Sequence, residues 1–249
     1  MRHFCRVDGT PAAGERIPLS PDESRHLTQV LRVREGLEVG LRNGCGLVAT
    51  ARVAAAGRRE VVLEVIESRV LPAPAVRVTL VQAAIRNAAL DPVLEKAVEL
   101  GVAAVEIVDT ERAVAGLDAR DKHARWERVM TAAMKQSGNP WLPPVRTWES
   151  VAAYLRGRSA DVPLLLCDLA PGATPAAAVL SGLAARKCAE AAIAIGPEGD
   201  FTPAERDQWL AAGALPVSLG PHVLRSETAA LLAAGLAVRI LTDCREQPA

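Results

Sequence analysis

A chain of 249 residues that is half hydrophobic and 23% charged can bury a sizeable core and exceeds one minimal domain, so a large domain with a smaller companion is expected. The 29 basic residues balance 29 acidic ones, which excludes a global basic field and leaves any nucleic-acid site to a local patch. Cys5, Cys45, Cys167, Cys188 and Cys244 are odd in number, scattered and never spaced C-x-x-C, which argues against a disulfide framework or a structural zinc site and fits a reducing cytosol. The start "MRHFCRVDGT" lacks the layout of a signal peptide, and no charge-free apolar run reaches membrane-spanning length. A soluble, cytoplasmic protein without a membrane partner is the expectation.

From Arg2 to about Val70 the pattern is short and strand-like, with "LEVGLRNGCGLVATARV" and "REVVLEVIESRV" alternating apolar and polar residues around glycine turns. One helix interrupts them in "SPDESRHLTQVLRVREG": Ser20 caps, Pro21 suits the first helical position, Glu23 completes a Ser-x-x-Glu capping box and Gly36 ends it. The proline content of "VLPAPAV" marks a boundary near residues 71 to 75, giving domains 1–72 and 73–249.

Beyond the linker the segments "VRVTLVQAAI", "AAVEIVD", "SVAAYLRG", "VPLLLCD", "AAIAI" and "ALPVSL" alternate with helical patterns. The helices are "DPVLEKAVELG", "RDKHARWERVMTAAMKQSG", one from Thr174, "TPAERDQWLAAG" and a last one from about Glu227. This is an α/β architecture with a mainly parallel sheet. Asp91-Pro92 opens one helix, Thr202-Pro203-Ala204-Glu205 is a second capping box, and Gly101 and Gly213 close the two. The alanine richness reads as tight helix packing.

Ligands of parallel sheets bind outside the carboxyl ends of strands, which points to the loops after "AAIAI" and "ALPVSL". "IGPEGDF" lets backbone N–H groups approach a ligand, and the following helix adds a positive dipole end. "LGPHVLRSETAALLAAG" delivers Arg225, Ser226, Glu227 and Thr228 to the start of the last helix. Each loop alone also reads as a plain strand-to-helix turn, but the pair on consecutive strands favours a site. The G-x-G-x-x-G, G-x-x-x-x-G-K-[ST] and G-x-S-x-G motifs are missing, and His3, His26, His123 and His222 are far apart, so no metal site is expected.

"IGPEGDFTPAE" followed by "LGPHVLRSETAA" resembles the paired signature of the ribosomal RNA small subunit methyltransferase E family, within the SPOUT superfamily of knotted methyltransferases. "RHLTQVLRVREG", "LEKAVELGVAAVEIVDTERAV" and "RWERVMTAAMKQSG" extend the resemblance collinearly over nearly the whole chain. It implies an N-terminal PUA-like β-barrel that helps to hold RNA and a C-terminal domain closed by a trefoil knot. It also implies a homodimer, S-adenosylmethionine as cofactor, and methylation of N3 of one uridine in small-subunit (16S) ribosomal RNA. Cofactor binding then falls to Gly196, Pro197, Glu198 and Gly199 of the first loop and to Leu219, Gly220, Leu224, Ser226 and Thr228 of the second.

Methylation at N3 is an in-line displacement, which needs a near-attack geometry, loss of a weakly acidic proton and a cation to steady charge on the neighbouring carbonyls. Arg225 is the expected cation, with Glu227 or Glu198 to orient it or accept the proton; an ion pair between Arg225 and Glu227 is the alternative. Glu198 faces the sulfonium, orients the substrate, or serves the helix dipole.

For RNA, Arg25, His26, Arg32 and Arg34 lie on or beside the first helix, where helical spacing puts Arg25 and Arg32 on one face, and Arg86 keeps a positive charge usual in the family. A solvated basic face is the alternative. Three departures from the family pattern are Asp200 in place of a second glycine, Arg86-Asn87-Ala88 in place of Lys-Gly-Asp, and Asn139 where arginine is common. They leave open a non-catalytic assembly factor of the same fold, or methylation of a ribose 2′-OH or another base.

Overall fold

The computed structural model describes residues 3–57, 60–113 and 122–246. The chain divides into two compact units, one of residues 1–73 with 130–142 and one of residues 74–129 with 143–249. The assignment of 130–142 to the first unit carries no signal in local sequence.

In the first unit, β1 (Phe4–Arg6), β2 (Arg16–Pro18), β3 (Glu38–Arg42), β4 (Leu47–Ala56) and β5 (Val61–Val70) form one sheet in the order β1-β3-β4-β5-β2. The two-residue period does the work here: Leu47, Ala49, Ala51 and Val53 of β4 and Val61, Leu63 and Val65 of β5 all turn inward, onto Leu27, Val39 and Leu41. The sheet is mostly antiparallel, and β1 and β2 are its edges.

The helix of this unit is shorter than its pattern. Helix α1 covers Pro21–Arg25, a π-helical turn follows over His26–Val30, and Arg32 sits at φ +50°. The wider turn and the left-handed residue break the 3.6-residue repeat, so Arg25 and Arg32 do not share one helical face. The capping box is also half made. Ser20 accepts from the Glu23 amide at 3.3 Å, but the Glu23 carboxylate takes Lys135 Nζ at 2.7 Å. The segment 130–142 is anchored further by Arg42 Nε, which donates to the Gly138 carbonyl at 2.7 Å. There Asn139 Oδ1 accepts from the Trp141 amide at 3.0 Å.

The second unit runs β6 (Arg77–Ala83), α2 (Asn87–Leu100), β7 (Ala104–Val108), the first half of α3 (Lys122–Ser137, whose residues from Met130 on belong to the first unit), β8 (Val145–Trp148), α4 (Val151–Gly157) and β9 (Leu164–Cys167). It continues through β10 (Thr174–Pro175), α5 (Ala176–Ala185), β11 (Glu190–Ile195), α6 (Pro203–Ala211), β12 (Leu215–Ser218) and α7 (Ser226–Glu246). The α/β expectation holds: seven strands lie parallel in the order β10-β12-β9-β11-β6-β7-β8. Strands buried on both faces need continuous apolar runs, and Ala191–Ile195 and Leu164–Leu166 are buried throughout.

Helix α7 packs on α2, α5, β6 and β11. Its buried stripe of Ala230, Ala233, Ala234, Ala237 and Leu241 has helical spacing, and small side chains let the helix approach closely.

Two helices differ from their patterns. Helix α2 starts at Asn87, four residues before Asp91, and holds Pro92 inside it; the Asp91 carboxylate takes Arg125 Nε at 3.0 Å instead of capping. "SVAAYLRG" is helical as α4, because Ser150 accepts from the Ala153 amide at 3.1 Å and starts a turn that alanine and leucine favour. The helix expected from Arg120 is described from Lys122, with Arg120 and Asp121 outside the described residues. Glycine closes α2 as expected, with Gly101 left-handed at φ +78°.

Candidate active site

Because every strand of the second sheet points the same way, the loops after β6, β9, β11 and β12 leave from one edge. The order matters: β9 lies between β11 and β12, so the two glycine-rich loops flank a third loop that the sequence reading did not single out.

The loop after β11 is a turn tied at several points. A Cβ on Gly196 would stand 2.9 Å from Asp200 Oδ1 and 3.4 Å from the Phe201 ring, so the bare glycine admits the turn itself. Asp200 takes φ +59°, a left-handed conformation that aspartate tolerates and other side chains resist, which accounts for aspartate standing where glycine is usual. Its Oδ1 accepts from the Phe201 amide at 2.8 Å, and its own amide donates to the Pro197 carbonyl at 3.0 Å. The Thr202–Glu205 capping box is complete, and Glu205 Oε1 also accepts from the Glu111 amide at 2.9 Å. Gly199 is explained by Arg112: a Cβ there would meet Arg112 Cβ at 3.3 Å, and Arg112 Nη1 donates to the Gly199 carbonyl at 2.9 Å.

The loop after β12 is open by comparison. Gly220 has φ +141°, which only glycine adopts without strain, and Val223 is 77% exposed. At its end Ser226 starts α7. The Ser226 hydroxyl donates to the Gly196 carbonyl at 2.6 Å and accepts from Gln82 Nε2 at 2.9 Å.

The third loop begins with Asp168, a buried carboxylate that accepts from the Ala170 amide at 2.9 Å and from Arg206 Nε at 2.8 Å. That bond, with the Asp168 charge beside it, holds the Arg206 pKa above its ordinary value. Burial, with the Asp168 charge second, pushes the neighbouring Cys167 thiol up to about 12, so it is neutral and no nucleophile. The strand-end rule applied to "VPLLLCD" would have found this loop.

These loops enclose a cavity of about 890 Å³. Of the sequence-predicted residues, Gly196, Pro197 and Glu198 line it from the first loop. Leu219, Gly220, Leu224, Arg225, Ser226 and Glu227 line it from the second, and Arg86 from the cap of α2. Gly199 and Thr228 do not line it. Ser226 lines it with its only proton already given to Gly196. Among the described residues no ion pair joins Arg225 to Glu227 or Glu198, so the guanidinium is not spent on a neighbour. Four acidic residues, Asp168, Glu198, Asp200 and Glu227, line it with two arginines, Arg86 and Arg225, the Asp168 charge being met by Arg206, and Ile195, Val217 and Leu219 add apolar walls. The set suits a cationic ligand with an apolar flat part.

Arg25, Arg32 and Arg34 are exposed in the first unit and His26 is half-buried. Among the described residues no group of three or more His, Cys, Asp or Glu could hold a metal ion, and no helix is long and apolar enough to cross a membrane.

The family model for an RNA methyltransferase domain matches residues 72–238, and that for an RNA methyltransferase PUA domain matches residues 19–66. The chain is 32% identical over 250 residues to ribosomal RNA small subunit methyltransferase E of Mycobacterium bovis, covering 95% of this chain and 91% of the relative. The Bacillus subtilis protein of the same name is 27% identical, covering 86% of each chain. A crystal structure of ribosomal RNA small subunit methyltransferase E from Neisseria gonorrhoeae bound to S-adenosyl methionine superposes with a TM-score of 0.84 at 28% identity, covering 94% of this chain and 95% of that one. With both its segments matched and the likeness running nearly end to end, the chain belongs to the ribosomal RNA small subunit methyltransferase E family.

Proposed function

We propose that this chain transfers the methyl group of S-adenosylmethionine to N3 of one uridine in small-subunit ribosomal RNA. The observation that carries the reading is the cavity at the strand ends. Its 890 Å³ falls in the range of ligand sites, its glycine-rich loops offer backbone groups, and its acidic lining suits a sulfonium and an ammonium. Bound there, S-adenosylmethionine supplies a methyl group on a sulfur that departs as a neutral thioether.

The chain's own residues do the rest. Gly196, Pro197 and Leu219 with Gly220 and Leu224 hold the adenosine and methionine parts. Arg225, exposed at the cavity and without an ion pair among the described residues, steadies the negative charge that spreads over the uridine carbonyls as N3 loses its proton. Glu227 or Glu198 takes that proton or orients the base. Arg25, Arg32 and Arg34 hold RNA phosphates, and Arg86 holds the target strand at the cavity. The two domains divide near residues 72 and 73, with 130–142 grouped with the first.

The working form is a cytoplasmic homodimer with a trefoil knot formed by the last segments. Exposed Leu169 and Val223 beside the cavity give a second copy apolar surface to cover. Asp200 and Asn139, the departures that favoured a non-catalytic assembly factor, have local backbone roles, so no specific observation supports that alternative.

The test is transfer of labelled methyl from S-adenosylmethionine to small ribosomal subunits from cells lacking the protein, followed by nucleoside analysis. Label in 3-methyluridine at one position is expected. Label in a 2′-O-methyl nucleoside or in another base overturns the N3 assignment, and no transfer to subunits or free RNA overturns the reaction.

A further inference from the structure

Gln82, on β6 beside Ile195 of β11, is fully buried and does not line the cavity. It nonetheless connects two of the loops that do, one directly and the other through Ser226. Its Nε2 donates to Ser226 Oγ at 2.9 Å and to the Ala83 carbonyl at 3.0 Å, and Ser226 Oγ donates to the Gly196 carbonyl at 2.6 Å.

The polarity of this chain is forced. The Gly196 carbonyl can only accept, so the single hydroxyl proton of Ser226 goes there, and the serine oxygen must accept from the amide nitrogen of Gln82. Both protons of that nitrogen are then used, and Gln82 Oε1 is left buried without a partner among the described residues. An unpaired buried acceptor destabilises, and an apolar side chain of similar size would avoid it. The benefit of glutamine here lies in its donor.

We infer that Gln82 is a positioning residue for the methyl transfer, acting through Ser226 to fix the Gly196 carbonyl and so the spacing between the β11 turn and the start of α7. The inference rests on the reading of the cavity as the S-adenosylmethionine site.

The test is calorimetric titration of S-adenosylmethionine into the full chain and into Gln82→Leu, Ser226→Ala and the double variant, with Tm measured on each. Gln82→Leu is expected to bind about fivefold more weakly and Ser226→Ala about tenfold, in keeping with the loss of one or two buried hydrogen bonds. The double variant binds no more weakly than Ser226→Ala, because the glutamine acts only through the serine. The Tm of Gln82→Leu stays level or rises, since the orphaned oxygen is gone. In the transfer assay the loss falls on KM for the cofactor, with kcat changed by no more than about twofold.

Gln82→Met, unbranched and close in length but without a donor, serves if the leucine variant does not fold; it loses affinity to the same degree. Wild-type affinity in either glutamine variant overturns the inference, as do additive losses in the double variant or losses that track Tm. Those outcomes leave the cofactor reading standing, whereas a wild-type chain that binds no S-adenosylmethionine overturns both.

Discussion

Between Gly196 and Glu205 side chains tie the turn at almost every step, with Arg112 on Gly199, Asp200 on Phe201, Thr202 with Glu205 on each other, and Ser226 on Gly196. From Leu219 to Arg225, across the same cavity, no side chain makes a hydrogen bond among the described residues, and Val223 is largely exposed. The first loop is prebuilt, so a ligand held by it loses little to ordering. The second is free to adjust, and it carries the cation proposed for the chemistry. The two walls therefore predict different failures.

The largest effect belongs to the open wall. Arg225→Ala is expected to lower kcat by about a hundred- to a thousandfold, the usual cost of removing a group that stabilises charge in the transition state. Calorimetry on the same variant should show S-adenosylmethionine affinity within about twofold of wild type, since the prebuilt wall is untouched.

Next comes the turn itself. In Gly196→Ala the new Cβ presses on Asp200 Oδ1 at 2.9 Å, so the carboxylate must swing off the Phe201 amide, which loosens the turn, and cofactor affinity should fall by about tenfold or more. A variant that binds normally would show that the turn is as adaptable as its neighbour, and the contrast would fail. Arg112→Ala removes one exposed tie to the Gly199 carbonyl, so a loss of only about two- to threefold in the same titration is expected.

The smallest functional effect lies on the floor. Cys167, raised to about 12 by burial, keeps its proton in the folded chain where the unfolded thiol, at 9.0, has lost it. Its contribution to stability is therefore whole below pH 9.0 and is lost as the pH rises from there toward 12. At pH 8 iodoacetamide should label exposed Cys45 and Cys244 first, with Cys167 slower by about a thousandfold, and Cys167→Ala should leave transfer nearly unchanged.

What sequence could disclose follows from the range of each interaction. The β11 turn was legible because its signals are contiguous: an apolar strand, Gly-Pro-Glu-Gly, then Thr-Pro-Ala-Glu, whose capping box forms as read. The alternation of strands and helices is likewise a local pattern and held over most of the second unit, failing at "SVAAYLRG", which is helix α4, and at β8 just before it. The Gln82–Ser226 bond joins residues 144 apart, and nothing near Gln82 announces it. Sheet order is equally non-local, so the placement of β9 between β11 and β12 stayed hidden, although the end of "VPLLLCD" is a strand end that marks the Asp168 loop locally. Where local signals misled, a distant partner had claimed the group: Glu23 went to Lys135 instead of its own capping box, and Asp91 went to Arg125 instead of opening α2. The family resemblance supplied what periodicity lacked, the pairing of both loops in one site.

The division of labour between the two walls is tested most directly by measuring S-adenosylmethionine affinity and methyl transfer side by side on Arg225→Ala and Gly196→Ala. The account predicts that Arg225→Ala binds like wild type and transfers almost nothing, while Gly196→Ala binds weakly and recovers much of its transfer at saturating cofactor. Equal losses of binding and transfer in both variants would contradict it, because the two loops would then act as one indivisible wall.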